Sequence, residues 1–254
     1  KDETVEYNFA GDPNTWTPWI AGEEQGERYS CSFESYYTET KVSQMPSKRL
    51  SILPLLADMG NGVKVAVTDV GDLDYPGMYV HSNFKNGNGL KGEFPGYPDL
   101  KNSDLNGQGY ANFVKLFRKD YIARVGGKQP LSWKVAVITE KDAQLADCDI
   151  VRKLCDGTSK GDYSWVKTGK VAWDWWNALN VTGLDFASGM NTPTYKHYID
   201  FAAANKLEYI IIDDGWDSPN VLQFKPECNI PEIVNYGKQK GVDVIIWLKW
   251  KDCM

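Results

Sequence analysis

Long apolar runs, clustered cysteines and an excess of positive charge are all missing from this sequence. No apolar run approaches the roughly 20 residues that a membrane-spanning helix needs. The five cysteines are widely spaced and form no Cys-x-x-Cys pair, so neither a zinc site nor a disulfide framework is indicated. The formal net charge of −6 argues against nucleic acid or an anionic membrane as the main partner.

Several motifs of common enzyme classes are missing as well. The sequence has no Gly-x-Ser-x-Gly nucleophile elbow, no phosphate-binding Gly-rich loop and no Gly-x-Gly-x-x-Gly after a strand. The two histidines, His81 and His197, are isolated, and neither has the spaced partner that a metal or nucleophile site needs. Asp69, Asp72 and Asp74 lack the glycine and distal glutamate of an EF-hand loop, and so predict a turn.

Hydrophobic residues make up 42% of the 254 residues and aromatic residues 13%, which is enough for one or two domains with a real core. The first part is rich in short apolar or aromatic runs separated by turn residues, which is typical of a β-sandwich. Asn61-Gly62 predicts a hairpin, and the glycine-rich stretch 83–109 predicts a long loop. The predicted strands are Arg28–Thr40, Leu50–Leu56, Val63–Val70, Met78–His81, Phe113–Tyr121 and Gln129–Ile138.

The last third of the chain alternates strand and helix. The order strand, helix, strand, helix, strand predicts parallel pairing through crossover helices. The predicted strands are Lys170–Trp176, Leu207–Ile212 and Val242–Trp247, and the predicted helices are Thr192–Asn205, with Thr192 as N-cap, and Asn229–Lys240, ended by Gly241. A helix over 139–154 and a polar stretch precede them. The predicted domains are a β-sandwich at 1–138, a link at 139–168 and a parallel unit at 169–254.

Two aspartates stand where the central parallel strand ends. Asp213 and Asp214 follow three consecutive isoleucines, and ligands of α/β proteins bind at the carboxyl ends of such strands. Because adjacent strand residues point to opposite faces, these two carboxylates cannot act as a pair on one ligand by themselves. The alternative to a ligand-binding role is that both residues brace the following loop.

Aromatic residues surround another carboxylate at the end of the preceding strand. Trp173, Asp174 and Trp175 are predicted to bind sugar, because aromatic faces pack against pyranose rings and a carboxylate fixes hydroxyl groups. Trp216 is a similar candidate, and Trp176 a weaker one. The alternative is that some of these tryptophans pack between strands and helices, and strand alternation requires this of at least one.

The segments Gly169–Trp176, Asn191–Ala202 and Leu207–Trp216, in this order, resemble the start of the catalytic barrel in glycoside hydrolase family 97. The resemblance implies a β-sandwich followed by the first strands and helices of a (β/α)8 TIM barrel. It also implies an α-glucosidase or α-galactosidase that uses calcium, acts on an oligosaccharide and is secreted or periplasmic. No signal-like segment is present in these residues.

In this family a glutamate of the sandwich joins barrel glutamates around the calcium ion, and Glu34 matches it best. The alternative for Glu34 is a solvated strand residue. A glycosidase needs two carboxyl groups that flank the scissile bond, and in this family both come from later strands, so no catalytic residue is assigned to this sequence. The resemblance implies instead that Asp214 lines the site or hydrogen-bonds to sugar hydroxyls.

A closed barrel takes about 250 residues, whereas three strands and two helices fit after residue 169. We therefore expect a fragment that lacks the remainder of the barrel and is inactive alone. The predicted function is that of a calcium-dependent, exo-acting α-glycosidase. The alternative is a non-catalytic carbohydrate-binding or scaffold sandwich, in which residues 1 to about 160 alone would hold sugar.

Overall fold

The structure is a computed structural model that describes residues 2–20, 28–29, 33–73, 75–83, 89–104, 115–128, 131–155, 161–218 and 221–249. Within these ranges the chain divides into two compact units, one formed before residue 156 and the other after residue 160. In the described part of the chain, no helix is long and apolar enough to cross a membrane.

The first unit is built from two antiparallel sheets that share one hydrophobic core. One sheet has the strand order β3-β2-β4-β5-β8, and the other has the order β1-β7-β6. The strands are β1 (Glu6–Asn8), β2 (Asn14–Thr17), β3 (Thr38–Lys41), β4 (Leu55–Asp58), β5 (Lys64–Val70), β6 (Tyr79–Ser82), β7 (Gly89–Glu93) and β8 (Trp133–Thr139). Side chains from both sheets form the core, among them Leu55, Val67, Val80 and Leu90. This arrangement agrees with the predicted β-sandwich.

The predicted hairpin at Asn61-Gly62 is confirmed. It joins β4 to β5 with Asp58 opposite Lys64, and Gly62 has a φ of 89°, which a residue with a side chain rarely adopts. The prediction of a loop over 83–109 is wrong for the residues that form β7. Glycine is suited to this strand because the neighbouring strand lies too close for a side chain. A Cβ at Gly89 would lie 1.7 Å from the carbonyl oxygen of Tyr7 on β1.

Other predictions for this unit were too long. Of the strand predicted over Arg28–Thr40, the described residues form a strand only at β3. The described part of the strand predicted over Phe113–Tyr121, residues 115–121, forms only isolated bridges. The single helix predicted over 139–154 is two short helices, α1 (Ala143–Ala146) and α2 (Ile150–Leu154), separated by Asp147–Asp149. Residues 113–114 and Asp74 lie outside the described residues.

The second unit contains the predicted alternation of strands and helices. Its elements are β9 (Val171–Trp173), α3 (Thr192–Ala204), β10 (Tyr209–Ile212), β11 (Asp217–Ser218), β12 (Val221–Phe224), α4 (Ile230–Lys240) and β13 (Asp243–Ile246). β10 pairs in parallel with β9 on one side and with β13 on the other, which confirms the predicted pairing. The hairpin β11–β12 was not predicted.

Capping residues set the ends of both helices. Asn229 accepts a hydrogen bond from the amide of Glu232 at the start of α4, and Gly241 ends it in the left-handed conformation, as predicted. The N-cap predicted for α3 is wrong by one residue. Asn191, not Thr192, accepts from the amide of Thr194 at 3.0 Å, because its side-chain oxygen reaches the first turn.

Both helices pack on one face of the parallel sheet. Ile210, Ile212 and Val242 are buried against Ile199 of α3 and Ile233 of α4. The opposite face exposes the side chains of Val171, Trp173 and Ile245. A three-stranded parallel sheet is thus covered on one side, and its carboxyl ends carry the candidate site.

Candidate functional site

The candidate site is formed where β9 and β10 end. Trp173 is the last residue of β9 and lies opposite Ile211, so the residues that follow each strand meet at one edge of the sheet. A 3-10 helix, Asp174–Asn177, begins at once after β9 and contains Trp175 and Trp176. The structure therefore brings the neighbours Trp173 and Asp174 together with Asp213, which lies 40 and 39 positions further along the chain.

Asp174 is 0% exposed, and its hydrogen-bond partners in the described structure are other residues of the chain. Its Oδ2 accepts hydrogen bonds from the hydroxyl of Tyr195 at 2.5 Å and from the backbone amide of Asp213 at 3.2 Å. Its Oδ1 has no partner among the described residues. Burial raises the pKa of the Asp174 carboxyl above its ordinary value, against the opposing effect of these hydrogen bonds. The structure thus shows Asp174 as a brace between β9, β10 and α3.

The two adjacent aspartates have different surroundings. Asp213 uses both carboxylate oxygens, since Oδ2 accepts from the indole nitrogen of Trp173 at 2.6 Å and Oδ1 accepts from the amide of Asp214 at 2.7 Å. The carboxylate of Asp214 is partly exposed and has no hydrogen-bond or ion-pair partner among the described residues. Asp214 is therefore the carboxylate that is free to bind a ligand, while Asp213 braces the strand end.

The tryptophans around this edge divide into exposed and buried groups. Trp173, Trp175 and Trp176 are 36%, 51% and 83% exposed, and the rings of Trp173 and Trp176 lie 6.3 Å apart. Trp216 is 5% exposed, and its indole nitrogen donates to the carbonyl oxygen of Trp247 at 2.8 Å. Trp216 is thus a core residue here, whereas sugar contact stays a prediction for Trp173 and Trp175.

The sequence did not indicate a role at this site for two residues of the region, Tyr195 and Cys228. Tyr195 is fully buried on α3 and reaches Asp174, and both burial and the neighbouring carboxylate raise its pKa. Cys228 is buried nearby, and burial raises the pKa of its thiol to about 11, so it stays protonated. A tyrosine among apolar helix residues indicates a core position, but not which carboxylate it meets.

Metal ligands are sparse. The described residues contain no group of three or more His, Cys, Asp or Glu side chains that could hold a metal ion. Glu34 lies in the first unit with an exposed side chain and no described partner. Calcium takes six to eight oxygen ligands, so Glu34 alone does not form a calcium site.

A shallow groove of about 550 Å³ lies in the first unit between β8 and the helices α1 and α2. Its lining includes Val135, Val137, Ile150 and Leu154, with Asp149 as its carboxylate. A single carboxylate on a mainly aliphatic surface does not match the needs of glycoside chemistry. The edge of the parallel sheet is the better candidate site.

Comparison with known families agrees with the two-part architecture. Residues 1–156 match the family described as "Glycosyl-hydrolase 97 N-terminal", and residues 175–254 match "Glycoside hydrolase 97". The chain is 37% identical over 251 residues to a retaining alpha-galactosidase of Bacteroides thetaiotaomicron, which covers 96% of this chain. It is 26% identical over 126 residues to a probable retaining alpha-galactosidase of Streptomyces bingchenggensis. The chain spans 38% of the length of the Bacteroides protein.

Solved structures show the same fold at lower identity. A glycoside hydrolase family 97 enzyme from Pseudoalteromonas sp. strain K8, in complex with acarbose, is 20% identical with a TM-score of 0.63. That match covers 94% of this chain and 34% of the other. A beta-arabinopyranosidase is 21% identical with a TM-score of 0.63, covering 96% of this chain and 35% of the other. Both parts of the sequence and the fold therefore lead to one conclusion: this chain belongs to glycoside hydrolase family 97.

Proposed function

We propose that this chain is part of an exo-acting, calcium-dependent α-glycosidase that releases terminal α-linked galactose, or glucose, from an oligosaccharide. The observation that carries the proposal is the edge where β9 and β10 end. It carries the partly exposed Asp214, whose carboxylate has no partner among the described residues, and the exposed side chains of Trp173 and Trp175. Galactose and retention of configuration are favoured because both curated relatives are named retaining alpha-galactosidases.

Within the described residues, this edge binds sugar but lacks a catalytic pair. Glycoside hydrolysis needs a proton donor and a second carboxylate on opposite sides of the bond. Of the three aspartates described at these strand ends, Asp213 is engaged at both oxygens and Asp174 is buried, so Asp214 is the one that remains available. We assign sugar binding to Asp214 and place the proton donor and its partner in the remainder of the (β/α)8 barrel. These 254 residues are then inactive alone.

Hydrolysis of nitrophenyl α-galactoside and α-glucoside tests this proposal. The 254-residue chain and a form extended to the length of the relatives are each assayed with calcium and with a chelator. We expect hydrolysis only by the extended, calcium-loaded form, with galactoside preferred and the α-anomer of galactose released first. Hydrolysis by the 254-residue chain would show that Asp214 or another carboxylate here is catalytic. An inactive extended form on both substrates would contradict the proposed function.

Sugar contact by the exposed tryptophans has its own matched comparison. Trp175→Ala removes an aromatic face at the strand ends, whereas Trp165→Ala removes an exposed tryptophan elsewhere in the same unit. Loss of a stacking face costs about 1–2 kcal/mol, so the Trp175 variant raises KM about tenfold in the extended enzyme. An equal KM in both variants would place the sugar elsewhere.

Calcium binding is proposed to involve Glu34, together with ligands from the remainder of the protein. Carboxylates are the usual calcium ligands, and the Glu34 side chain is exposed and uncommitted among the described residues. In the extended enzyme, Glu34→Gln should raise the calcium concentration for half-maximal activity about tenfold, by loss of one charged ligand. Glu6→Gln changes a similarly exposed glutamate of the same unit and should leave that concentration unchanged. We also propose a secreted or periplasmic location, on the family resemblance.

A further inference from the structure

A chain of hydrogen bonds runs from the buried side of α3 to the exposed ring of Trp173. Tyr195 donates to Asp174, and the amide of Asp213 donates to the same carboxylate oxygen. Asp213 in turn accepts from the indole nitrogen of Trp173 at 2.6 Å. Every step thus joins a residue at the end of one strand to a residue on a neighbouring element.

The last hydrogen bond is not needed merely to satisfy the indole. Trp173 is partly exposed, so water could accept from its N–H group at little cost. A carboxylate instead makes a short, charge-assisted bond with a fixed direction. The other oxygen of Asp213 is held by the amide of Asp214, so the carboxylate cannot rotate freely. The Asp213 carboxylate, which is itself held in place, therefore fixes the plane of the exposed Trp173 ring.

We propose that Asp213 is a positioning residue that orients the Trp173 indole for stacking on the sugar. Asp213 acts through Trp173 and not on the substrate, because both of its oxygens are already engaged within the chain. Asp174 and Tyr195 support it by holding the backbone of Asp213 at the end of β10. This inference rests on the proposed function, since it assigns Trp173 to the sugar site.

The orientation is tested without sugar on the 254-residue chain. The indole N–H signal of Trp173 is assigned in a ¹⁵N–¹H spectrum by its loss in Trp173→Phe. In Asp213→Ala this signal should shift and its N–H should exchange faster with solvent. Asp213→Asn keeps one of the two acceptor oxygens, so its indole N–H should exchange more slowly than that of Asp213→Ala. Asp243→Asn, an exposed aspartate at the start of β13, is the matched control. Unchanged signals of the other tryptophans show that each variant is folded. A Trp173 signal that does not move in Asp213→Ala overturns the proposal.

The role in sugar binding is tested in the extended enzyme on nitrophenyl α-galactoside. Without the hydrogen bond between Trp173 and Asp213, the plane of the indole is no longer fixed before the sugar binds, so Asp213→Ala should raise KM about tenfold. The value of kcat should change less, and KM of Asp213→Asn should lie between those of Asp213→Ala and wild type. Equal KM values in Asp213→Ala and wild type overturn the proposal. A wild-type enzyme that cleaves neither glycoside contradicts the proposed function instead, and the indole signal then decides the positioning by Asp213.

Discussion

At the scale of single residues, Asp72 shows how a neighbouring charge and burial act on one carboxyl. It follows β5 and lies near Asp69, Lys134 and Ser132. Burial, and then the negative charge of Asp69, raise the pKa of Asp72 to about 6, although Lys134 and Ser132 act in the opposite direction. Its Oδ1 is buried and has no partner among the described residues. Two carboxylates are therefore held close, and the ammonium of Lys134 lies 3.7 Å from Asp69.

This arrangement predicts a pH-dependent stability. The folded state binds the proton of Asp72 more tightly than the unfolded chain does, so the free energy of unfolding falls as pH rises from about 4 to about 6 and then levels off. Asp72→Asn removes the charge and should raise the free energy of unfolding at pH 7.5 by about 1 kcal/mol, with little gain at pH 4. Urea denaturation at both pH values measures this.

The control for Asp72 is Asp147→Asn, which removes the same charge from an exposed position between α1 and α2. It should change the free energy of unfolding by less than about 0.5 kcal/mol at either pH. An equal gain in both variants at pH 7.5 would mean that net charge, and not the pair Asp69–Asp72, is responsible.

At the scale of elements, the contact between α4 and β13 depends on one glycine. Gly237 is buried in α4, and a Cβ there would lie 2.5 Å from the carbonyl oxygen of Val242. The amide of Val242 donates to the carbonyl oxygen of Gly237 at 2.9 Å, so the helix and the chain that enters β13 approach backbone to backbone. Such an approach leaves no room for a side chain.

Gly237→Ala should therefore destabilise the second unit. Alanine favours a helix over glycine by about 1 kcal/mol, but the overlap with Val242 costs about 1–3 kcal/mol through displacement of the backbone. The net loss should appear as a lower midpoint in urea, followed by tryptophan fluorescence. Asn235→Ala, at an exposed position of the same helix, should leave the midpoint unchanged or raise it slightly. A raised midpoint in Gly237→Ala would show that α4 and β13 separate easily.

At the scale of the whole molecule, the parallel sheet has one covered face and one exposed face. Val171, Trp173 and Ile245 are exposed on one face of the three-stranded sheet. The helices α3 and α4 cover the other face. Parallel sheets are normally buried on both faces, and a contiguous apolar surface favours association. In the proposed barrel this face points inward, where the remaining strands would enclose it.

We therefore expect the 254-residue chain to self-associate. Ile245→Lys places a charge on the exposed face and should lower the fraction of oligomer in sedimentation velocity and reduce binding of the dye ANS. Asn235→Lys introduces the same charge on the outer surface of α4 and should change neither quantity. Equal fractions of oligomer and equal ANS binding in the two variants would show that association does not involve the exposed face. In the extended enzyme, Ile245→Lys should instead destabilise, because the face is then buried.

Much of this fold was predictable from local patterns. Capping by Asn229 and Gly241 and the hairpin at Asn61-Gly62 depend on residues within a few positions of one another. The parallel pairing follows from the alternation of short strand and helix patterns along the chain. The predicted strands were less accurate in the first unit, where Gly89–Glu93 forms a strand from residues that are typical of loops. There the neighbouring strands, and not the intrinsic preference of the residues, decide the structure.

The sequence by itself determined the two-part architecture, the ends of α4 and the family, because periodicity, capping and motif order are properties of short segments. Only the tertiary structure decided what each candidate side chain does at the strand ends. It buried Asp174 against Tyr195, joined Asp213 to Trp173 and placed Trp216 in the core. These contacts join residues 21 and 40 positions apart, across different elements. Burial and hydrogen-bond partners are set by which elements pack together, and no local pattern contains that information.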